Sequence, residues 1–208
     1  MEIQVWFAFV AASAVLLMIP GPTIVLVLTY ALTQGRRVAV ASAAGVATGD
    51  LIAMTASLLG LGAVVLASAT AFTALKWIGA AYLVWMGIGM IRAGGHRLAH
   101  LDDVPNLSPR HVFGNAALVT ALNPKSIVFF IAFVPQFLVL DRPLPPQFAV
   151  LIATFVTLAA VNALAYALLA DGMRATIRKP AVLAWMTRAG GGVLIAMGVL
   201  TATLRKAA

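Results

Sequence analysis

Three short stretches carry groups that could do chemistry. Asp50 is the only acidic residue inside any long apolar run, and it follows Gly45-Val46-Ala47-Thr48-Gly49. Pro20-Gly21-Pro22-Thr23 interrupts the first apolar run, and Asn123-Pro124-Lys125-Ser126 interrupts the fourth. Proline has no N–H, its ring clashes with the preceding turn, and the residue before it is pushed out of helical angles. Pro20 therefore deprives the carbonyl of Leu16 of its helical donor, Pro22 that of Met18, and Pro124 that of Thr120. Freed carbonyls suit an ammonium. The half-helices that restart at Pro22 and Pro124 offer unpaired amide groups and a positive dipole end, which suit a carboxylate. An amino acid carries both groups. Asp50 could hold an ammonium or a proton, and Lys125, the deepest cation, is its expected partner. A static Asp50–Lys125 pair that holds the helices together is the structural alternative. Asn162 and Tyr166 add polar atoms, either to line the same place or to bond a neighbouring helix.

The elements that must position these groups follow from composition. The 208 residues are 62% hydrophobic and 10% charged, with a mean hydropathy of +1.03. A soluble domain is about half apolar and about a quarter charged, so the chain reads as a polytopic membrane protein. Its net charge of +8 lies in short runs between apolar stretches rather than on a basic face, which sets membrane orientation and argues against a nucleic-acid partner. There is no cysteine, hence no disulfide or thiolate chemistry. Met1-Glu2-Ile3-Gln4 lacks the basic start of a signal peptide, so the first apolar stretch reads as a retained span.

A bilayer core takes about 20 apolar residues per helix. Polar breaks then delimit six spans, at 5–33, 38–67, 74–91, 111–140, 147–170 and 181–204. The third is short, which leaves room for an earlier start. Ser108-Pro109 reads as a helix start, with serine as cap and proline in the first helical position. Asp171–Pro180 reads as a connection. Of the 14 Lys and Arg, eight fall on one side and four on the other. The richer side is expected to be cytoplasmic, with both termini outside.

The chain also repeats. Pro20-Gly21-Pro22-Thr23-Ile24-Val25 aligns with Asn123-Pro124-Lys125-Ser126-Ile127-Val128, and Lys76–Gly87 aligns with Thr187–Gly198, placing Leu83 on Leu194. Three spans per half invert the second copy. The expected fold is all-α: one transmembrane domain over 1–208, built as two inverted three-helix repeats, about 1–95 and about 108–208, with proline-broken first and fourth helices. Broken helices at the midplane of inverted repeats mark secondary transporters. Unpaired backbone in lipid must be buried in protein or line a wet cavity, so both breaks point to one hydrated place. Its candidate binding residues are Pro20, Gly21, Pro22, Thr23, Asp50, Asn123, Pro124, Lys125, Ser126 and Asn162, with Asp50 coupling to protons.

Other features read more plainly. Ala41, Gly45, Gly49 and Ala53 recur every four residues and suit close helix packing, as do Gly79 and Gly87. Trp77, Tyr82 and Trp85 read as packing or interface aromatics. His96, His100 and Asp103 lie in the longest loop, where a solvated segment explains them better than a metal site. His111 stands at a span entrance. Without a deep histidine or HExxH, no metal, cofactor or enzymatic activity is expected.

Together these residues resemble the lysine-exporter and threonine/homoserine-exporter (LysE/RhtB) family of bacterial inner-membrane proteins. The matching pieces are Pro20-Gly21-Pro22, Gly45 through Gly49-Asp50, Tyr82-Leu83 with Gly87, Asn123-Pro124-Lys125 with Phe129-Phe130 and Pro135-Gln136-Phe137, and Gly190 to Gly198. The resemblance implies proton-driven export of amino acids or their derivatives. A single intramembrane carboxylate favours a small neutral cargo such as threonine or homoserine. The expected partners are that solute, protons and membrane lipid, with a homodimer left open. A passive channel, an exporter of another small solute, an intramembrane enzyme and a structural subunit are the competing readings.

Overall fold

The computed structural model describes residues 1–19, 21–34, 36–93, 107–139, 141–177 and 180–203. Among them it is all-helical. The elements run α1 (Ile3–Met18), α2 (Pro22–Gln34), α3 (Arg36–Ala67), α4 (Ala69–Ala93), α5 (Pro109–Ala121), α6 (Pro124–Val128), α7 (Leu144–Ile177) and α8 (Pro180–Thr203). After α6 the chain widens into a π-helical turn over Phe129–Phe133 and tightens into a 3-10 turn over Val134–Phe137.

α3, α4 and α7 are each long and apolar enough to cross a bilayer. α1 with α2, bent by 57°, and α5 with the segment Pro124–Phe137, bent by 41°, each make one further span if the bent pair is taken as a unit, up to five in all. α8, the sixth span expected from sequence, stands outside that number. Large side chains such as Phe7, Leu59, Trp77, Ile78, Trp85 and Trp185 are exposed. In water they would be a liability; on apolar helices long enough to span a bilayer, such exposed side chains fit a membrane protein.

Helix ends differ from the sequence reading where nothing local stops a helix. α4 begins at Ala69, where Ser68 Oγ accepts from Ala71 N–H at 3.1 Å. α7 runs through Asp171–Ile177, which had read as a connection. No proline occurs between Pro146 and Pro180, and polar residues alone do not break a helix. Ser108 does cap α5, with Pro109 in the first turn.

Small residues set the packing. A side chain at Gly45 or Gly49 of α3 would run into the backbone carbonyls of Phe113 or Ala117 of α5. Gly87 of α4 and Gly191 of α8 face each other's carbonyls, and a Cβ on either would stand 2.5 Å from that oxygen. Lipid is as apolar as leucine, so such seams rest on close backbone contact rather than on the hydrophobic effect. A larger core joins α1, α3, the fourth span and α7 through Phe9, Leu16, Met54, Leu58, Leu151 and Phe155. In it the rings of Phe129 and Phe130 meet Phe155 at centroid distances of 5.9 and 4.8 Å.

Buried Gln147 ties the turn before α7. Its Oε1 accepts from Val139 N–H at 2.9 Å, while Nε2 donates to the carbonyls of Val139 at 2.9 Å and Pro143 at 3.1 Å. Gln147→Leu leaves those groups unpaired and is expected to destabilise the protein by about 1–3 kcal/mol. Thermal unfolding in detergent checks this.

Candidate functional site

The site begins where α1 ends. Ile19, after the last helical residue, is extended. The four last carbonyls of a helix need donors from elsewhere. Pro22, without an N–H, offers none to Met18. Ile19 N–H turns back to Leu16 O at 3.2 Å, and side chains of the fourth span and of α7 supply further donors. Lys125 Nζ donates to Leu16 O at 3.2 Å and to Ile19 O at 3.0 Å. Asn162 Nδ2 donates to Leu17 O at 3.1 Å, and the Tyr166 hydroxyl to Met18 O at 3.3 Å. A cation at a helix C-terminus also meets the negative end of the dipole.

The second break is built differently. Asn123 caps α6 with its own side chain, whose Oδ1 accepts from Lys125 N–H at 3.0 Å. Asn123 N–H turns back to Thr120 O at 3.0 Å, the carbonyl that Pro124 cannot serve. The breaks meet through Thr23, at the start of α2. Its Oγ1 receives Asn123 Nδ2 at 3.2 Å and the Thr120 hydroxyl at 3.4 Å.

Between them lies a cavity lined by Thr23, Asp50, Asn123, Lys125, Ser126 and Asn162, with Leu16, Leu17, Ile24, Val46 and Ala159 as its apolar wall. Its volume, counted as space open to the centre of a water molecule, is about 20 Å³. One water needs about 10–15 Å³ by that measure, so an amino acid requires the walls to part. Asp50 is 2% exposed and Lys125 8%. Asp50 Oδ1 has no hydrogen-bond partner among the described residues. Lys125 lines the same cavity as Asp50 but spends its hydrogen bonds on α1. The expected Asp50–Lys125 partnership is thus not a closed ion pair. A buried carboxylate oxygen without a donor is costly and is chemically free to take a cation or a proton.

Six of the residues singled out from sequence therefore come together: Thr23, Asp50, Asn123, Lys125, Ser126 and Asn162. Gly21 is adjacent, since a Cβ there would stand 3.4 Å from Lys125 Nζ. Pro22 and Pro124 are exposed and outside the lining; they act through the backbone groups they free. Pro20 lies outside the described residues, as do His96, His100 and Asp103. Sequence reasoning passed over Thr120 Oγ1 and the apolar wall. Val46 stands one helical turn before Asp50, a spacing that would have found it.

The family described as LysE type translocator matches residues 14–205. The chain is 36% identical over 211 residues to the homoserine/homoserine lactone efflux protein of Salmonella typhimurium, covering 100% of both chains. It is 36% identical over 205 residues to an uncharacterized membrane protein of Vibrio cholerae, covering 99% of this chain and 100% of that one. It is 24% identical over 140 residues to the leucine efflux protein of Klebsiella pneumoniae, covering 67% of this chain and 66% of that one. No solved structure matches it.

Proposed function

Because the chain belongs to the LysE-type translocators, we propose that it exports a small neutral amino acid, or a derivative of one, from the cytoplasm across the bacterial inner membrane in exchange for protons. The family and the names of the efflux relatives support transport rather than catalysis, and homoserine, homoserine lactone and leucine are the cargoes those names suggest. The observation that carries the reading is the unpartnered carboxylate oxygen of Asp50 in a cavity between two broken helices. One carboxylate that holds either a proton or a substrate ammonium, but not both, exchanges the one for the other.

The cavity holds space for about one water, so transport requires it to widen and to be reached alternately from each side. Two inverted three-helix repeats would supply that motion by rocking about the fixed breaks. Support for this arrangement comes from the position of the breaks in the first and fourth spans, and from α8, whose 24 residues complete a second set of three. Under this arrangement α4 and α8 pair as the third helix of each half, with Gly87 against Gly191.

Efflux from proteoliposomes preloaded with homoserine, threonine or leucine tests the proposal. With the outside more acidic than the inside, at least one of them should leave against its concentration gradient, and a protonophore should stop it. Movement only down a gradient, indifferent to the protonophore, would make the protein a passive channel. No movement of any amino acid would overturn the reading.

A further inference from the structure

We propose that Lys125 recognises the substrate's carboxylate, and that its hold on the end of α1 is a latch which the substrate releases; this rests on the transport reading above. Lys125 occupies an unusual position. Its ammonium, buried beside Gly21, is held by two backbone carbonyls, Leu16 and Ile19. An ammonium has three donors, and among the described residues only two are used. Carbonyls are neutral acceptors; a carboxylate carries a full charge and binds an ammonium more strongly. The only carboxylate in the cavity wall, Asp50, leaves Oδ1 unbonded rather than drawing Lys125 off the carbonyls. The site therefore presents a buried carboxyl group and a buried ammonium that line one cavity and are not joined by a hydrogen bond.

A zwitterion fits between them by exchange. Its carboxylate draws Lys125 away from α1, and its ammonium takes Asp50. Every buried charge keeps an opposite partner through the exchange, which removing either partner from a buried pair would not allow. Withdrawal of the lysine side chain also makes room in a cavity that otherwise admits about one water. It frees the end of α1 from the fourth span as well, which couples occupancy to movement of the break. A solute with no carboxylate has nothing with which to draw the latch and must enter by the Asp50 side alone.

The test compares each amino acid with its uncharged-carboxyl counterpart: homoserine with homoserine lactone, and leucine with leucine methyl ester. Lys125→Met removes the charge and the carbonyl contacts. Lys125→Gln removes the charge but keeps amide donors for Leu16 and Ile19, and so guards against simple misfolding. In proteoliposomes, both variants should lower transport of the amino acid by about tenfold to a hundredfold, the effect of one charge-assisted hydrogen bond. The lactone or ester should lose much less, so that the ratio of amino-acid to lactone or ester transport falls by about tenfold or more. Equal losses on both members of a pair in the Gln variant would overturn the proposal and leave Lys125 as a clamp on the break. Wild-type protein that carries no member of either pair and no other amino acid would instead overturn the transport reading, and the carboxylate role with it.

Discussion

Asp50→Asn is expected to leave a folded, membrane-inserted protein that no longer concentrates its substrate. Asparagine is nearly isosteric with aspartate, so the shape of the cavity wall that Asp50 helps to form is preserved. What disappears is the charge. A buried carboxylate whose Oδ1 lacks a partner among the described residues contributes desolvation cost and little bonding. The melting temperature should therefore hold or rise. Accumulation driven by a pH gradient should fall by about tenfold to a hundredfold, since a hydrogen bond to a charged group is lost together with the proton it exchanges. Proteoliposome uptake and thermal unfolding on the same preparation check both halves. Full proton-driven accumulation by the variant would remove Asp50 from coupling. Loss of folding would return it to the role of a static counter-charge for Lys125.

The second large effect is expected at Gly49. A Cβ there would stand 2.5 Å from the carbonyl oxygen of Ala117 and 2.7 Å from Thr120 Cβ. Backbone cannot yield as a side chain can, so Gly49→Val must push α5 away from α3. The expected cost is about 3 kcal/mol, the upper end of the range for overpacking. The consequence reaches the site, because Thr120 bonds Thr23 and Asp50 adjoins Gly49. Gly60 of the same helix provides the control. Nothing lies within 4 Å of a Cβ at that position, so Gly60→Ala should be neutral or stabilising by up to about 1 kcal/mol through helix propensity. Thermal unfolding of both variants decides the matter. Similar melting temperatures for the two would show that the α3–α5 seam tolerates separation.

These expectations separate residues whose role could be read along the chain from those that needed the fold. The breaks were legible because proline acts locally: it removes a donor four residues from a known carbonyl, wherever the helix packs. Ser108-Pro109 was legible for the same reason. The stripe Gly45–Gly49 reported a close neighbour, since period four on a helix defines a face, though not that α5 would be the helix against it. The starts and ends of α4 and α7 were less legible. A polar residue at a membrane surface is compatible with helix or loop, and the sequence holds no stop signal there.

The amino-acid sequence alone determined that the chain is helical, apolar enough for several membrane spans, broken in two of them, and supplied with one deep carboxylate and one deep ammonium. Each of those properties belongs to a residue and its near neighbours in the chain. Only the tertiary structure decided what the freed groups bond to. Lys125 lies 75 residues from Asp50 and 109 from Leu16, and nothing in the spacing chooses between them. The choice rests on geometry: the end of α1 brings two carbonyls and a negative dipole end within 3.2 Å of the ammonium, while Asp50 stays across the cavity. Hydrogen bonding at the site depends on distances between helices that are far apart in the chain, and those distances are a property of the packed fold, not of local spacing.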